Sequence, residues 1–243
     1  MKRSAPGLPS GSKKKKPTKA VEPVITPVFP VLSTVDSKTL RLQRLDLPGL
    51  VIVPAFFSAR DCSSLLASFS HPGILQPPRP PSKDEAARTN WRWSGQDQNF
   101  ADVLWQRFGS LLDTLEGEKG TRAKGLNSNI RVYRYEPGQS FGKHYDDSVF
   151  VNGLRSEWTL LIYLTGIEDG VQGGETVFYP DARVSSKKSS SATASSESES
   201  RVSLRRGMAL LHRHGRECAL HEGAAVLKGT KWVLRSDVLF GKA

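Results

Sequence analysis

Residues 130–147 read IRVYRYEPGQSFGKHYDD. Ile130, Val132 and Arg134 alternate with Arg131, Tyr133 and Tyr135, the period of two that marks a β-strand. Glu136-Pro137-Gly138 is turn chemistry, and the strand expected after it carries His144 and Asp146, two residues apart and so on one face. An imidazole and a carboxylate side by side are two adjacent ligands for a borderline metal. A third nitrogen from elsewhere would complete a facial triad with open positions. An HxD tripeptide alone is equally an exposed polar strand end, so the case turns on the rest of the chain.

Downstream the pattern is one of short strands and turns. Residues 157–165 (EWTLLIYLT) form a nearly continuous apolar run, the mark of a central strand. Gly173-Gly174-Glu175-Thr176-Val177-Phe178 is a turn into another, and residues 208–212 and 230–240 read as two more. Six or more short strands in about 110 residues, with no helices between them, argue for a sandwich or jelly roll. Upstream, Ser58-Ala59-Arg60-Asp61 reads as a capping box opening a helix through Leu65, Leu66 and Phe69. Phe100, Val103, Leu104, Phe108, Leu111, Leu112 and Leu115 predict a second helix over about 97–115, packed against a sheet. The expected class is therefore mainly β (α+β), with helices flanking the N-terminal side. Residues 77–96 (PPRPPSKDEAARTNWRWSGQ) read as a long loop. It is either a lid that turns Arg88, Trp91, Arg92 and Trp93 toward a substrate, or a loop whose tryptophans anchor it to the core.

The formal charge of +11 is unevenly placed: Lys2, Arg3, Lys13, Lys14, Lys15, Lys16 and Lys19 supply +7 of it within the first 19 residues. We expect residues 1–36 to be a disordered basic and Pro-rich tail, and 37–243 to be one domain with its core at 129–240. The Ser-rich stretch 183–206 is expected as a disordered insert. Residues 20–34, interrupted by prolines, read as an extended segment packed on the surface. The run Lys13–Lys16 followed by Pro17 is of the kind that nuclear import receptors bind, so the expected location is nuclear or nucleocytoplasmic. No apolar stretch follows the N-terminal charges, and no run approaches the ~20 residues of a membrane span, so neither secretion nor a membrane partner is expected. Two cysteines, Cys62 and Cys218, fit free thiols in a reducing compartment.

For the third ligand the later half offers His212, His214 and His221. In HEGAAVLKGTK, His221 stands ten residues before Lys231 with Gly223 and Gly229 between, so a strand, a turn and a strand could bring imidazole and ammonium to one interior. His212 and His214 read as a strand end and a turn.

Taken together, HYD at 144–146, GGET at 173–176, GMALLHRHG, HEG and GTKWVLRSDVLF resemble the iron and 2-oxoglutarate dependent dioxygenases, in particular the prolyl 4-hydroxylase-like branch. The likeness covers about 129–240. It implies a double-stranded β-helix, and it makes His144, Asp146 and His221 the metal ligands and, with them, the catalytic centre. It implies that Lys231 pairs with the distal carboxylate of 2-oxoglutarate, with Arg235 a second candidate, and that Tyr135 hydrogen-bonds the cosubstrate. The implied cofactors are Fe(2+), 2-oxoglutarate and O2, and the resemblance admits ascorbate as a further one. The implied activity is hydroxylation of a C–H bond with release of succinate and carbon dioxide, on a protein or peptide side chain and prolyl hydroxylase-like. Two other readings stand beside it. One is a nucleic-acid oxidative demethylase of the AlkB-like type, which the basic tail would suit, and the other is a non-catalytic jelly-roll binding module.

Overall fold

The computed structural model describes residues 26–33, 39–81, 85–180 and 199–243. Period-two alternation makes each long strand two-sided. On the strand Lys231–Lys242, Trp232 and Leu234 face one hydrophobic core, while Val233 faces a second on the other side of the sheet. The same split runs along Asn129–Tyr135, where Ile130 and Val132 join the first core and Tyr133 and Tyr135 the second.

The large antiparallel sheet runs in the order 43–44, 50–53, 209–213, 154–163, 231–242, 129–135, 91–96. Its centre is the pairing of 154–163 with 231–242, so the apolar run expected to be a central strand occupies that place. A smaller sheet, in the order 200–202, 176–178, 221–223, 141–144, packs across the second core. Two sheets closed around a common interior are the jelly roll expected from the strand count.

Two helices cover the outer face of the large sheet. The first, α1 (Ala59–Phe69), starts at Ser58, whose hydroxyl accepts the Asp61 N–H while the Asp61 carboxylate accepts the Ser58 N–H. That reciprocal cap satisfies two donors which the first helical turn would otherwise leave bare. The second, α2 (Gln98–Leu112), begins where Asp97 accepts the Phe100 N–H. Leu65 and Phe69 from α1 meet Leu104 and Phe108 from α2 over Val132, Leu160 and Leu234 of the sheet. None of the described helices is long and apolar enough to cross a membrane.

Three expectations change. Residues 77–96 are not a loop throughout: Trp91–Gln96 is an edge strand in register with 129–135, Trp93 opposite Val132. Trp93 packs edge-on against Phe29 and Phe69, so it anchors the segment to the core and does not reach for a substrate. Order also returns before Gly207. Ser200–Val202 pairs with Thr176–Phe178, and Val202 and Leu204 are buried because alternation within the supposed insert still delivers apolar groups to the second core. The rest of that insert, 183–198, lies outside the described residues, as do residues 1–25 and 34–38. Within the stretch expected to be tail, Phe29 stacks on Phe100 with ring centroids 4.0 Å apart, and the Ser33 N–H donates to Asp61 at 2.6 Å.

Candidate metal and cosubstrate site

Strand register assembles the site. His221 is the direct cross-strand partner of His144, and Lys231 that of Tyr135, so residues 77 and 96 positions apart in sequence become neighbours. Asp146 follows the end of the 141–144 strand and is buried. Its Oδ1 lies 3.8 Å from His144 Nε2, and its Oδ2 lies 3.9 Å from His221 Nε2. The three donor groups lie within 4.8 Å of one another.

Each imidazole is fixed through its other nitrogen. His144 Nδ1 donates to the Gly142 carbonyl at 2.8 Å and His221 Nδ1 to the Ala219 carbonyl at 2.9 Å. A carbonyl only accepts, so the proton sits on Nδ1 and the Nε2 lone pair is aimed at the carboxylate. Phe141 stacks on His144 and Phe178 on His221, which holds both ring planes. Burial, with the neighbouring His221, pushes His144 down to about 4, and burial also lowers His221, so both are neutral donors at physiological pH.

Asp146 is held from several sides. Burial alone would raise its pKa, but Arg235 donates to Oδ1 at 3.1 Å and holds the carboxyl well below the usual range. Thr159 donates to Oδ2 at 2.7 Å. Having given its proton to Asp146, the Thr159 oxygen accepts one from His214 Nε2, and His214 Nδ1 in turn accepts from the Ser156 hydroxyl at 3.1 Å. His214 is therefore a support for the carboxylate and not a donor to a metal. The Asp146 N–H points at Cys218 Sγ, 3.2 Å away. That sulfur lies 3.9 Å from His221 Nδ1, the nitrogen whose proton is already committed to Ala219.

The two candidate cations have different surroundings. Arg235 is saturated by carboxylates, with Asp146 at 3.1 Å and Asp237 at 3.3 Å. Lys231 is buried and faces no carboxylate within 4 Å among the described residues; Nζ donates to the Gly174 carbonyl at 2.6 Å. Gly174 has φ +74°, and a Cβ there would stand 3.2 Å from Lys231 Cδ, so the turn needs glycine both for its backbone and for the lysine's passage. Around the ammonium stand the rings of Tyr135 and Tyr163, at 5.0 and 5.9 Å, and Tyr163 shares a 2.7 Å hydrogen bond with Thr176. Burial lowers Lys231 to about 8, opposed by Glu175. A desolvated ammonium among phenols suits an incoming carboxylate, and the neutral imidazoles with one carboxylate suit a borderline divalent ion. The residues present thus fit a metal and a dianionic keto acid.

A narrow inner cavity lined by Tyr135, Tyr163, Thr176 and Lys231 shares Phe141, His144 and Asp146 with an outer cleft of about 290 Å³. The cleft's walls include Arg79, Arg88 and Arg92. Residues 87–89 pair with the site strand, the Gly142 N–H donating to Ala87 O at 2.8 Å, and this sets the Arg88 guanidinium 4.0 Å over the Phe141 ring. Tyr163, Thr176 and Thr159 were not expected at the site. Tyr163 and Thr176 become visible only once register places Val233 opposite Tyr163 and brings the small sheet over it. His212 was read as a strand end, but it is fully buried in the strand Ala209–Arg213 and opposite Thr159.

A pair of imidazoles and a carboxylate in a jelly roll, with a buried lysine lining the same inner cavity, are a donor set that a divalent metal and a chelating acid would fit. Residues 130–236 match the model of the 2OG-Fe(II) oxygenase superfamily. This segment belongs to that superfamily and is prolyl 4-hydroxylase-like; the superfamily works with Fe(2+), 2-oxoglutarate and O2. The chain is 36% identical over 127 residues to probable prolyl 4-hydroxylase 4 of Arabidopsis thaliana, a match covering 45% of this chain and 40% of that protein. It therefore spans about two-fifths of that relative's length. Among solved structures, a Trichoplax adhaerens prolyl hydroxylase in complex with a hypoxia inducible factor peptide fragment superposes with a TM-score of 0.55 at 16% identity, covering 78% of this chain and 83% of that one. The viral collagen prolyl hydroxylase of Paramecium bursaria Chlorella virus-1, in its 2OG complex, gives 0.51 at 16% identity over 80% and 97%. At those identities the two structures speak for the fold.

Proposed function

We propose that the chain is an Fe(II)- and 2-oxoglutarate-dependent hydroxylase acting on a protein or peptide side chain, with proline the first choice. The observation that carries this reading is Lys231: a buried ammonium without a carboxylate partner among the described residues, on the same strand face as Arg235 and lining the inner cavity that also reaches His144, Asp146 and His221. His144, Asp146 and His221 would hold the iron, and Lys231 the distal carboxylate of the keto acid, with the Tyr135 hydroxyl beside it. Bound Fe(II) and 2-oxoglutarate supply the oxidation of a substrate C–H to C–OH by O2, the keto acid leaving as succinate and carbon dioxide.

The chain's own residues do the rest. Arg235 and Thr159 keep Asp146 ionised and turned toward the imidazoles. Phe141 and Phe178 wall the rings against water. Arg88 and Arg92 stand where a substrate would enter the cleft. The preference for a peptide rests on similarity to prolyl 4-hydroxylases and on the peptide-bound Trichoplax relative. The nuclear address at Lys13–Lys16 remains part of the proposal on the strength of its sequence alone.

The test is an anaerobic titration with Fe(II) and 2-oxoglutarate, followed by the visible metal-to-ligand charge-transfer band. The band should form in wild type, vanish in His221→Ala and require far more keto acid in Lys231→Ala. No band from folded wild-type protein would overturn the reading. With the band in hand, a mass gain of one oxygen on peptides, without loss of a methylene (as formaldehyde) from N-methylated oligonucleotides, decides the substrate class.

A further inference from the structure

The stretch ARTNWRW, residues 87–93, gives the outer cleft its charge by alternation. Trp91 and Trp93 turn to the core on the helix side, so Arg92 between them faces the site, directly across from Tyr133 of the 129–135 strand. Arg88 and Asn90 keep the same parity, and all three line the cleft with His144 and Asp146. Arg88 is seated by the pairing of its backbone with Phe141, and distances of 4.0 and 3.7 Å lead from its guanidinium to the Phe141 ring and from that ring to His144. Arg79, the third arginine of the wall, is already paired with Glu85 at 2.9 Å. Arg88 and Arg92, both half-buried, have no carboxylate within 4 Å among the described residues. Burial first, and then the like charges of Arg88, Arg131 and Arg79, lower the pKa of Arg92 from its ordinary value, as befits a cation without a counter-ion.

Two cations on one wall, without an anion of the protein to answer them, receive an anion that arrives with the substrate. We propose that the cleft selects peptides with a carboxylate side chain within about three residues of the hydroxylated one, and that Arg88 and Arg92 set this preference. This rests on the hydroxylase reading above and narrows its substrate class. The spacing follows from the stack at Phe141: an extended chain advances ~3.3–3.6 Å per residue, so two or three residues cover the path from His144 to Arg88. A guanidinium lying over a ring keeps its N–H edge free to grip both oxygens of a carboxylate. A peptide fits this wall better than a phosphodiester chain. Pro77, Pro80, Pro81 and Phe141 offer apolar surface beside the arginines, and with Arg79 neutralised by Glu85 the free charge is confined to two side chains. Outside its first 19 residues the chain carries a formal charge of only +4, too little for the broad basic face that tracks a nucleic-acid backbone.

The experiment compares peptides that differ only in charge. The full-length chain is loaded anaerobically with Fe(II) and 2-oxoglutarate, and the charge-transfer band is recorded in the same samples. Rhodamine-labelled synthetic peptides with one central proline, flanked on both sides by aspartate, asparagine or lysine, are then titrated by fluorescence anisotropy. Wild type should bind the aspartate peptide about tenfold or more tighter than the asparagine one, the gap narrowing as salt rises. Arg88→Gln with Arg92→Gln should close that gap. Arg88→Glu with Arg92→Glu should turn the preference to the lysine peptide, a gain that a damaged fold would not produce. A band in wild type without preference for aspartate would overturn this inference and leave the hydroxylase reading standing, whereas no band would overturn the reading on which it rests. A preference that survives both double substitutions, or a single-stranded oligonucleotide that displaces the aspartate peptide at lower concentration than unlabelled peptide does, would also overturn it. Because the wild-type comparison can refute the proposal alone, variants that failed to fold would not protect it.

Discussion

Lys231→Met separates binding from stability, because the two should move in opposite directions. The ammonium is fully buried and its pKa falls from 10.5 to about 8, which corresponds to about 3 kcal/mol of unfavourable burial of the charged form. Methionine removes that cost and keeps most of the stem, but it leaves the Gly174 carbonyl without its 2.6 Å donor, a loss of ~1–3 kcal/mol. The net effect on the ligand-free protein is near zero or stabilising by up to ~2 kcal/mol, so its Tm holds or rises by a few degrees. Cosubstrate binding should weaken by ~2–5 kcal/mol, the cost of truncating one member of a buried charge pair, or roughly thirtyfold to several-thousandfold in Kd. The pH dependence follows with a definite sign. The folded-state pKa lies below the unfolded one, so the unfolded chain holds more protons between about pH 8 and 10.5, and the ligand-free wild type gains stability from this group as pH rises through that window. Keto-acid affinity falls over the same rise as the ammonium loses its charge. Calorimetric unfolding and isothermal titration with Fe(II) and 2-oxoglutarate at pH 7 and 9 read both quantities. A Tm lowered by more than about 4 °C together with affinity changed less than tenfold would refute the reasoning and make Lys231 a structural residue.

Arg235→Met should behave in the opposite way to Lys231→Met. It strips the cation from Asp146 and Asp237 in a buried setting, so urea denaturation should show a loss of ~3–5 kcal/mol, and an unchanged midpoint would contradict the assignment. Phe29→Ala removes a ring stacked on Phe100 and edge-on to Phe69 and Trp93. Being only partly buried, it should cost ~1–3 kcal/mol in the same assay, whereas a free tail residue would cost nothing. Replacing Lys13–Lys16 by alanine in a fluorescently tagged chain should abolish nuclear accumulation; equal nuclear signal in both forms would remove the address.

How far the sequence reveals this molecule depends on which interactions are local. The capping box at Ser58 and Asp61 and the helical spacing from Phe100 are set within a few residues, and both helices form where those signals put them. The strand at 129–135 announces itself by alternation, and HxD names two site residues, although the strand expected to carry both ends at His144 and leaves Asp146 beyond it. Trp91 and Trp93 mislead for the opposite reason: a strand at the sheet edge is made by its partner, and nothing in PRPPSKDEAARTNWRW names residues 129–135 as that partner. The choice between Lys231 and Arg235 as anion partner is likewise not local. Both share one strand face, and only the position of Asp146 and Asp237 beside Arg235 leaves Lys231 as the cation still facing no carboxylate.

His212 shows where local reading stops. In ALLHR the alternation places Leu210 and His212 on the same face, and a histidine at a strand end is ordinarily a polar residue turning toward water. The structure turns it inward because the strand is flanked on both sides, by 50–53 and by 154–163, and its pairing with Thr159 sets it against the carboxylate that Thr159 holds. A buried imidazole must then find a partner for each nitrogen. One backbone carbonyl takes the Nδ1 proton, and Nε2 lies 3.5 Å from an Asp146 carboxylate oxygen. The sequence contains every residue of that arrangement, but its force lies in a distance between atoms 66 positions apart, which no local pattern records.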